Sequence, residues 1–403
     1  MLFRCLVWLT VIAVTSFAQG TVDHLRNAKA VSDKLRPVIK PDDIGPEPDP
    51  LLIGQLKREV REWLTGRIAS APRTISPTQL TAQLKEAAGQ VGLLVRDGDY
   101  ESNPYGTILD FRVVPVLHAP DLLQIIVSYN SYCAPDDSLL LFEQKQGRWQ
   151  LVLNFDNTDL THQWGDRALL YSGVSPRDSR GQYYVLVVRT RSYCPLSGST
   201  WNNVNYHVLR PGVEPASPVV LLSENHGYHA DEDFRAELKV ANFTLDFPGG
   251  SESAGYIRIF KYSVLGNRVR RVEPYAVNPV EFIGEWLTVP WAEAAEWSDP
   301  AGLESLRNWH DNLKGKFNFF VLGTPFVQYC SAGHKLMQVG FPEDFDPSGT
   351  NSPLFVVREL RVGVWRVMNV AVRSLDGCTE LRPLPAEAPF RLLPETLTRA
   401  KSN

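Results

Sequence analysis

The densest set of potential metal ligands in this chain is the stretch with His226, His229, Asp231, Glu232 and Asp233, with Glu224 close by. A structural zinc site commonly sets two histidines four apart on a helix, or two cysteines two apart, because that spacing fixes tetrahedral directions. Here Gly227 interrupts the run, and the spacing reads as a solvated acidic loop over 224–233. His226, His229, Asp231 and Asp233 are retained as a candidate metal set on composition alone. No cofactor motif accompanies them.

A second constellation joins aromatic rings to amides: Tyr129, Tyr132, Tyr193, Trp201 and Asn203, with Asn202 and Asn205 beside them. Rings supply flat apolar area and amides supply paired hydrogen bonds, which suits a carbohydrate or peptide surface. Packing at strand edges is the competing account, since aromatic residues are common in sheets. The cysteines form a third set. Cys330 and Cys378 would clip a C-terminal sheet across 48 residues, worth roughly 4 kcal/mol on the loop-entropy estimate. Cys133 and Cys194 are expected in a disulfide as well, although equivalent loops of neighbouring units need not bring two Cα atoms within the ~6 Å that a bridge requires.

Other chemistry fails on spacing. Asp156, Asp159 and Asp166, or Asp97 and Asp99 with Glu101, supply carboxylates, but glycoside cleavage needs two of them ~5–9 Å apart across a cleft, and Asp is frequent in turns anyway. Gly250-Ser251-Glu252-Ser253-Ala254-Gly255 lacks the glycine that a nucleophile elbow needs two positions before Ser253. Trp286, Trp291, Trp297 and Trp309 read as core, because Trp309 shares a helical face with Leu306 and Leu313.

The elements that must position these residues show a repeat. Ser131-Tyr132-Cys133 recurs as Ser192-Tyr193-Cys194, 61 residues on, each time between apolar runs. Four strands are expected between Ile108 and Phe155, four more between Ala168 and Leu222, and a third set at Ala236–Phe247, Tyr256–Tyr262, Arg268–Pro274 and Val280–Phe282. Three antiparallel units at this period predict a mainly β, propeller-like body. Two helices precede it. Asp49-Pro50 starts one, with Leu52, Leu56, Val60 and Trp63 on its face; Ser76-Pro77 with Gln79 makes a capping box for the next. A helix through Leu303–Leu313 and a meander then form a C-terminal α+β unit.

The boundaries that follow are a signal peptide at 1–18, a Pro-rich tether at 19–50, a helical segment at 51–106, repeated β units at 107–285, the α+β unit at 286–381 and a tail at 382–403. Arg4, the apolar run Leu6–Val14 and Ser16-Phe17-Ala18 have the order of a cleavable export signal. No later stretch is apolar enough to span a bilayer, so no transmembrane span is expected after its removal. Cleavage leaves four cysteines and a net charge of −5, against −4 for the whole chain. A mild acidic balance opposes nucleic acid as a partner, because polyanion binding needs concentrated Lys and Arg.

The expectation is therefore a secreted or periplasmic, disulfide-bonded, non-catalytic binding protein with a protein or carbohydrate ligand. An extracytoplasmic hydrolase using a metal at 224–233 is the alternative, and a structural cell-envelope component is a third reading.

Overall fold

The computed structural model describes residues 23–35, 49–72, 74–95, 106–130, 135–156, 168–191, 201–229, 234–249, 256–274, 276, 278–314, 326–330, 335–340, 353–361, 363–373, 375–378 and 382–383. The chain is mainly β, with strands in four antiparallel sheets and a few helices. It divides into two compact units: Met1–Glu232 with Leu238–Val240, and Asp233–Glu237 with Ala241–Asn403.

The first unit opens with a helix not foreseen from sequence. Residues 23–35 form α1, and Leu25, Ala28, Val31 and Leu35 line its buried face. The tether reading of 19–50 is corrected for this part: apolar spacing decided its structure, and the downstream prolines did not bear on it. Helix α2, Pro50–Ala69, begins as expected, with Asp49 accepting a hydrogen bond from the Leu51 amide at 2.9 Å and Pro50 in the first turn. Helix α3, Pro77–Gln90, carries the reciprocal Ser76–Gln79 capping box. Gly106 meets these helices where only glycine fits. Its φ is +75°, and an added Cβ would lie 2.7 Å from a Leu56 methyl.

Two meanders follow in chain order, the strand order of a propeller blade. The first sheet holds β1 (Ile108–Pro115), β2 (Leu122–Tyr129), β3 (Asp136–Lys145) and β4 (Arg148–Phe155). The second holds β5 (Ala168–Val174), β6 (Val185–Arg191), β7 (Trp201–Arg210) and β8 (Val219–His229). Successive strand residues point to opposite faces. Leu123, Ile125, Val127, Leu140 and Phe142 accordingly pack under the helices, while Ile126, Leu139, Leu141 and Leu153 pack against Val185, Val187 and Leu209 of the second sheet. The first sheet is buried on both faces, which is why β2 has no exposed position.

In the second unit a third sheet has the order β12–β11–β10–β9, built from β9 (Arg235–Leu238), β10 (Asn242–Gly249), β11 (Tyr256–Leu265) and β12 (Arg268–Glu273). The expected strand over Ala236–Phe247 is in fact two, broken at residues 239–241. The expected strand Val280–Phe282 is corrected to a helix, α4 (Pro279–Thr288). Asn278 caps it, accepting hydrogen bonds from the Val280 and Glu281 amides at 3.0 and 2.9 Å, and Pro279 occupies the first turn. Short α5 (Trp291–Ala294) and α6 (Leu303–Leu313) complete the helical layer.

The fourth sheet has five strands, in the order β16–β15–β14–β13–β17. They are β13 (Phe326–Tyr329), β14 (Leu336–Gly340), β15 (Leu354–Arg361), β16 (Val364–Ala371) and β17 (Arg382–Pro383). Phe282, Trp286, Trp297 and Leu306 pack on its inner face with Val339, Phe355 and Val367, so the tryptophan cluster is core, as expected. Buried Arg271 of β12 pairs with Glu285 of α4 and lies over the Phe260 and Tyr262 rings.

Candidate functional site

Each Ser-Tyr-Cys segment follows the second strand of its sheet and precedes the third. Tyr129 ends β2 and pairs with Asp136, the first residue of β3; Arg191 ends β6 and pairs with Asn203 in β7. Tyr132, Cys133, Tyr193 and Cys194 themselves lie outside the described residues, but the stems of both loops are described.

Asp136 and Asp137 carry the geometry of these stems. They are neighbours at the start of a strand buried on both faces, so their carboxylates go to opposite sides. Asp136 turns toward the helices, where both of its oxygens lie within 2.9 Å of Lys57 Nζ. Lys57 is 4% exposed and shares the buried face of α2 with Leu56, Val60, Trp63 and Leu64. Two ions removed from water hold together only when paired at contact distance.

Tyr129 belongs to this same layer and is corrected as a ligand-binding candidate. It is 3% exposed, with its ring 5.9 Å from Lys57 Nζ, and it serves as part of the core under the helices. Burial, together with the nearby Asp156 and Asp136 carboxylates, pushes its hydroxyl well above the usual tyrosine pKa.

Asp137 faces the second sheet. Its carboxylate accepts from the Ser128 hydroxyl and from the Leu169 amide at 2.6 Å, and Arg112 stands 3.9 Å away. Burial raises its pKa against the pull of these partners. Arg189, three residues before the second Ser-Tyr-Cys, reaches back across the joint. It donates to the Asp137 carbonyl at 3.0 Å and to the Phe155 carbonyl at 2.8 Å, and its guanidinium lies 4.6 Å above the Phe155 ring. His207 packs on that ring at 5.0 Å. Burial and the Arg189 charge lower the His207 pKa to about 4. A second arginine ties the sheets together elsewhere: Arg177 donates to Asp121 at 2.6 Å and to Glu143 at 2.8 Å, with Tyr183 beneath it.

The stems of the two loops therefore adjoin across the stacked sheets, held by Arg189. Trp201 and Asn203 lie in β7 just beyond the second loop, in register with His229 and Gly227. The loop reading of 224–233 is corrected in part, because His226 and His229 belong to β8 and pair with Val204 and Trp201. Asp231 and Asp233 fall outside the described residues. Among the described residues no group of three or more His, Cys, Asp or Glu could hold a metal ion, and no helix is long and apolar enough to cross a membrane.

Sequence reasoning missed Lys57, Asp136, Asp137 and Arg189. The signals were present: a lysine beside Leu56 on the apolar face of a helix, and an aspartate pair separated only by Ser138 from the apolar run Leu139–Phe142. In the second unit, the Cys330–Cys378 disulfide forms as expected. No protein-family model matches the chain, and no curated protein is significantly similar to it.

Proposed function

We propose that the protein is exported and works as a non-catalytic binding or interaction module, with its ligand surface at the two Ser-Tyr-Cys loops. One observation carries this reading. Arg189 and Asp137 clamp the stems of both loops together, so that two tyrosine-bearing segments leave one end of a rigid, doubly layered sheet pair. Loops set on a rigid scaffold are where recognition residues concentrate.

Tyr132 and Tyr193, followed by Trp201 and Asn203, would supply flat rings and an amide to a carbohydrate or peptide. Export is supported by the leader pattern of residues 1–18 and by the Cys330–Cys378 bridge, since such bonds persist in oxidising compartments. Cys133 and Cys194, in loops that start from these adjoining stems, complete the proposed disulfide set.

The test is a screen of the mature protein on glycan and peptide arrays, repeated with chelator and with the Tyr132→Ala/Tyr193→Ala double variant. Loss of binding by tenfold or more in a variant that keeps its circular dichroism and melting temperature supports the reading. Undiminished binding by that variant overturns it, as does turnover of a ligand that chelator abolishes.

A further inference from the structure

The fifth strand of the fourth sheet is reached by an unusual route. After β16 at one edge, the chain returns at the opposite edge as β17, passing β15, β14 and β13, a distance of roughly 19 Å at ordinary strand spacing. Contacts to β13 and β14 hold the described residues of this crossing segment. The Leu375 amide donates to Gln338 Oε1 on β14 at 2.9 Å, and Cys378 is bonded to Cys330 at the end of β13.

The surface beneath the segment is mostly polar, with Val356 of β15, 4% exposed and paired with Gln338, as its apolar member. Gln328 and Gln338 are paired across β13 and β14, opposite to the apolar face that meets the helices, and they are 2% and 0% exposed. Gln338 Nε2 also reaches the Arg373 carbonyl at 3.5 Å. Beyond the disulfide, β17 has two residues, and Pro383 has no amide hydrogen with which to bond to β13. A strand this short has little strength of its own. Uncovering this face exchanges the amide bonds of Gln328 and Gln338 for bonds to water and exposes one buried apolar side chain, Val356, so release costs less there than on the helix-covered face with its aromatic cluster.

We propose that Cys330–Cys378 is a redox-sensitive strap. It keeps the segment after residue 371 across the sheet and β17 on the outer edge of β13; its reduction frees both and leaves the helix-covered core folded. Both cysteines are half-buried, so a small reductant reaches the bond. A dithiol attacks one sulfur to form a mixed disulfide, then closes its own disulfide. It loses two electrons and two protons, and Cys330 and Cys378 end as thiols.

Hydrogen exchange measured by mass spectrometry on the full chain tests this, comparing the oxidised protein, the protein in dithiothreitol, and the Cys330→Ser/Cys378→Ser double variant without reductant. The variant removes this bond alone. The expected result, in the reduced protein and in the variant, is at least tenfold faster exchange in peptides covering 326–330 and 375–383, with peptides from α4, α6, β15 and β16 changing less than twofold. Unchanged exchange at 326–330 and 375–383 overturns the strap. Joint loss of protection across the helices and the whole sheet also overturns it, since the bond would then be a staple for the unit.

Discussion

The first and fourth sheets are both antiparallel meanders, yet their strands are written differently. In the first, β2 reads Leu-Leu-Gln-Ile-Ile-Val-Ser-Tyr with every position buried, because helices cover one face and the second sheet covers the other. In the fourth, β16 alternates, with Trp365 and Val367 inward and Arg366 and Asn369 less buried, because one face meets the helices and the other is largely polar. Strand composition thus reports how many faces are covered. Polar residues also take different tasks in the two sheets. In the first they are buried ions that lock layers together; in the fourth they are glutamines under a strap.

The largest contrast is expected from Leu139→Asp against Asn369→Asp. Leu139 faces the second sheet and lies opposite Ile126 and Phe155, so a new carboxylate there meets apolar side chains on both neighbouring strands, and the cost should exceed about 4 kcal/mol. Asn369 is exposed, so its change should stay within about 0.5 kcal/mol. Urea denaturation reads both, and equal costs would break the comparison between two-faced and one-faced burial.

Next in size, Lys57→Met should cost about 3–5 kcal/mol, because it leaves Asp136 in a dry site without its ammonium partner. Arg270→Ala, which removes an exposed pair with Glu296, should cost less than about 1 kcal/mol. Similar values for the two would show that the buried pair is not what fixes the helices to the first sheet.

The smallest effect concerns pH. The folded-state pKa of His207, about 4, lies below its unfolded value, so its contribution to stability is complete above about 6.5 and is lost as pH falls toward 4. Asp137 acts in the opposite sense: its raised pKa favours the folded state on the acid side, and that contribution falls away as pH rises through it. His207→Phe keeps a ring against Phe155 and should flatten the acid limb of the melting profile by on the order of 1–3 kcal/mol between pH 6.5 and 4. A variant with the wild-type acid limb would assign that limb to other groups.

Much of the fold was legible because it rests on local chemistry. Asp49-Pro50 and Ser76-Pro77 with Gln79 satisfy the free amides of a helix start by themselves, so α2 and α3 stand where their caps placed them. The Ser-Tyr-Cys repeat located equivalent hairpins in two sheets. Val280–Phe282 misled because a three-residue apolar run suits a strand or a buried helix equally, and the Asn278-Pro279 cap that decides for α4 was overlooked. Tyr129 misled because nothing in a strand's own residues says which side another layer will cover.

By itself, the sequence determined periodicity, caps, turns and the presence of runs too apolar for a single face, since each is settled by neighbours along the chain. Only tertiary structure decided that Lys57 would meet Asp136 across 79 residues, that Arg189 would clasp the carbonyls of Asp137 and Phe155, and that the chain after β16 would cross to the far edge of its sheet. Charges and backbone carbonyls attract any suitable partner, and which one they find depends on the layers that burial brings together.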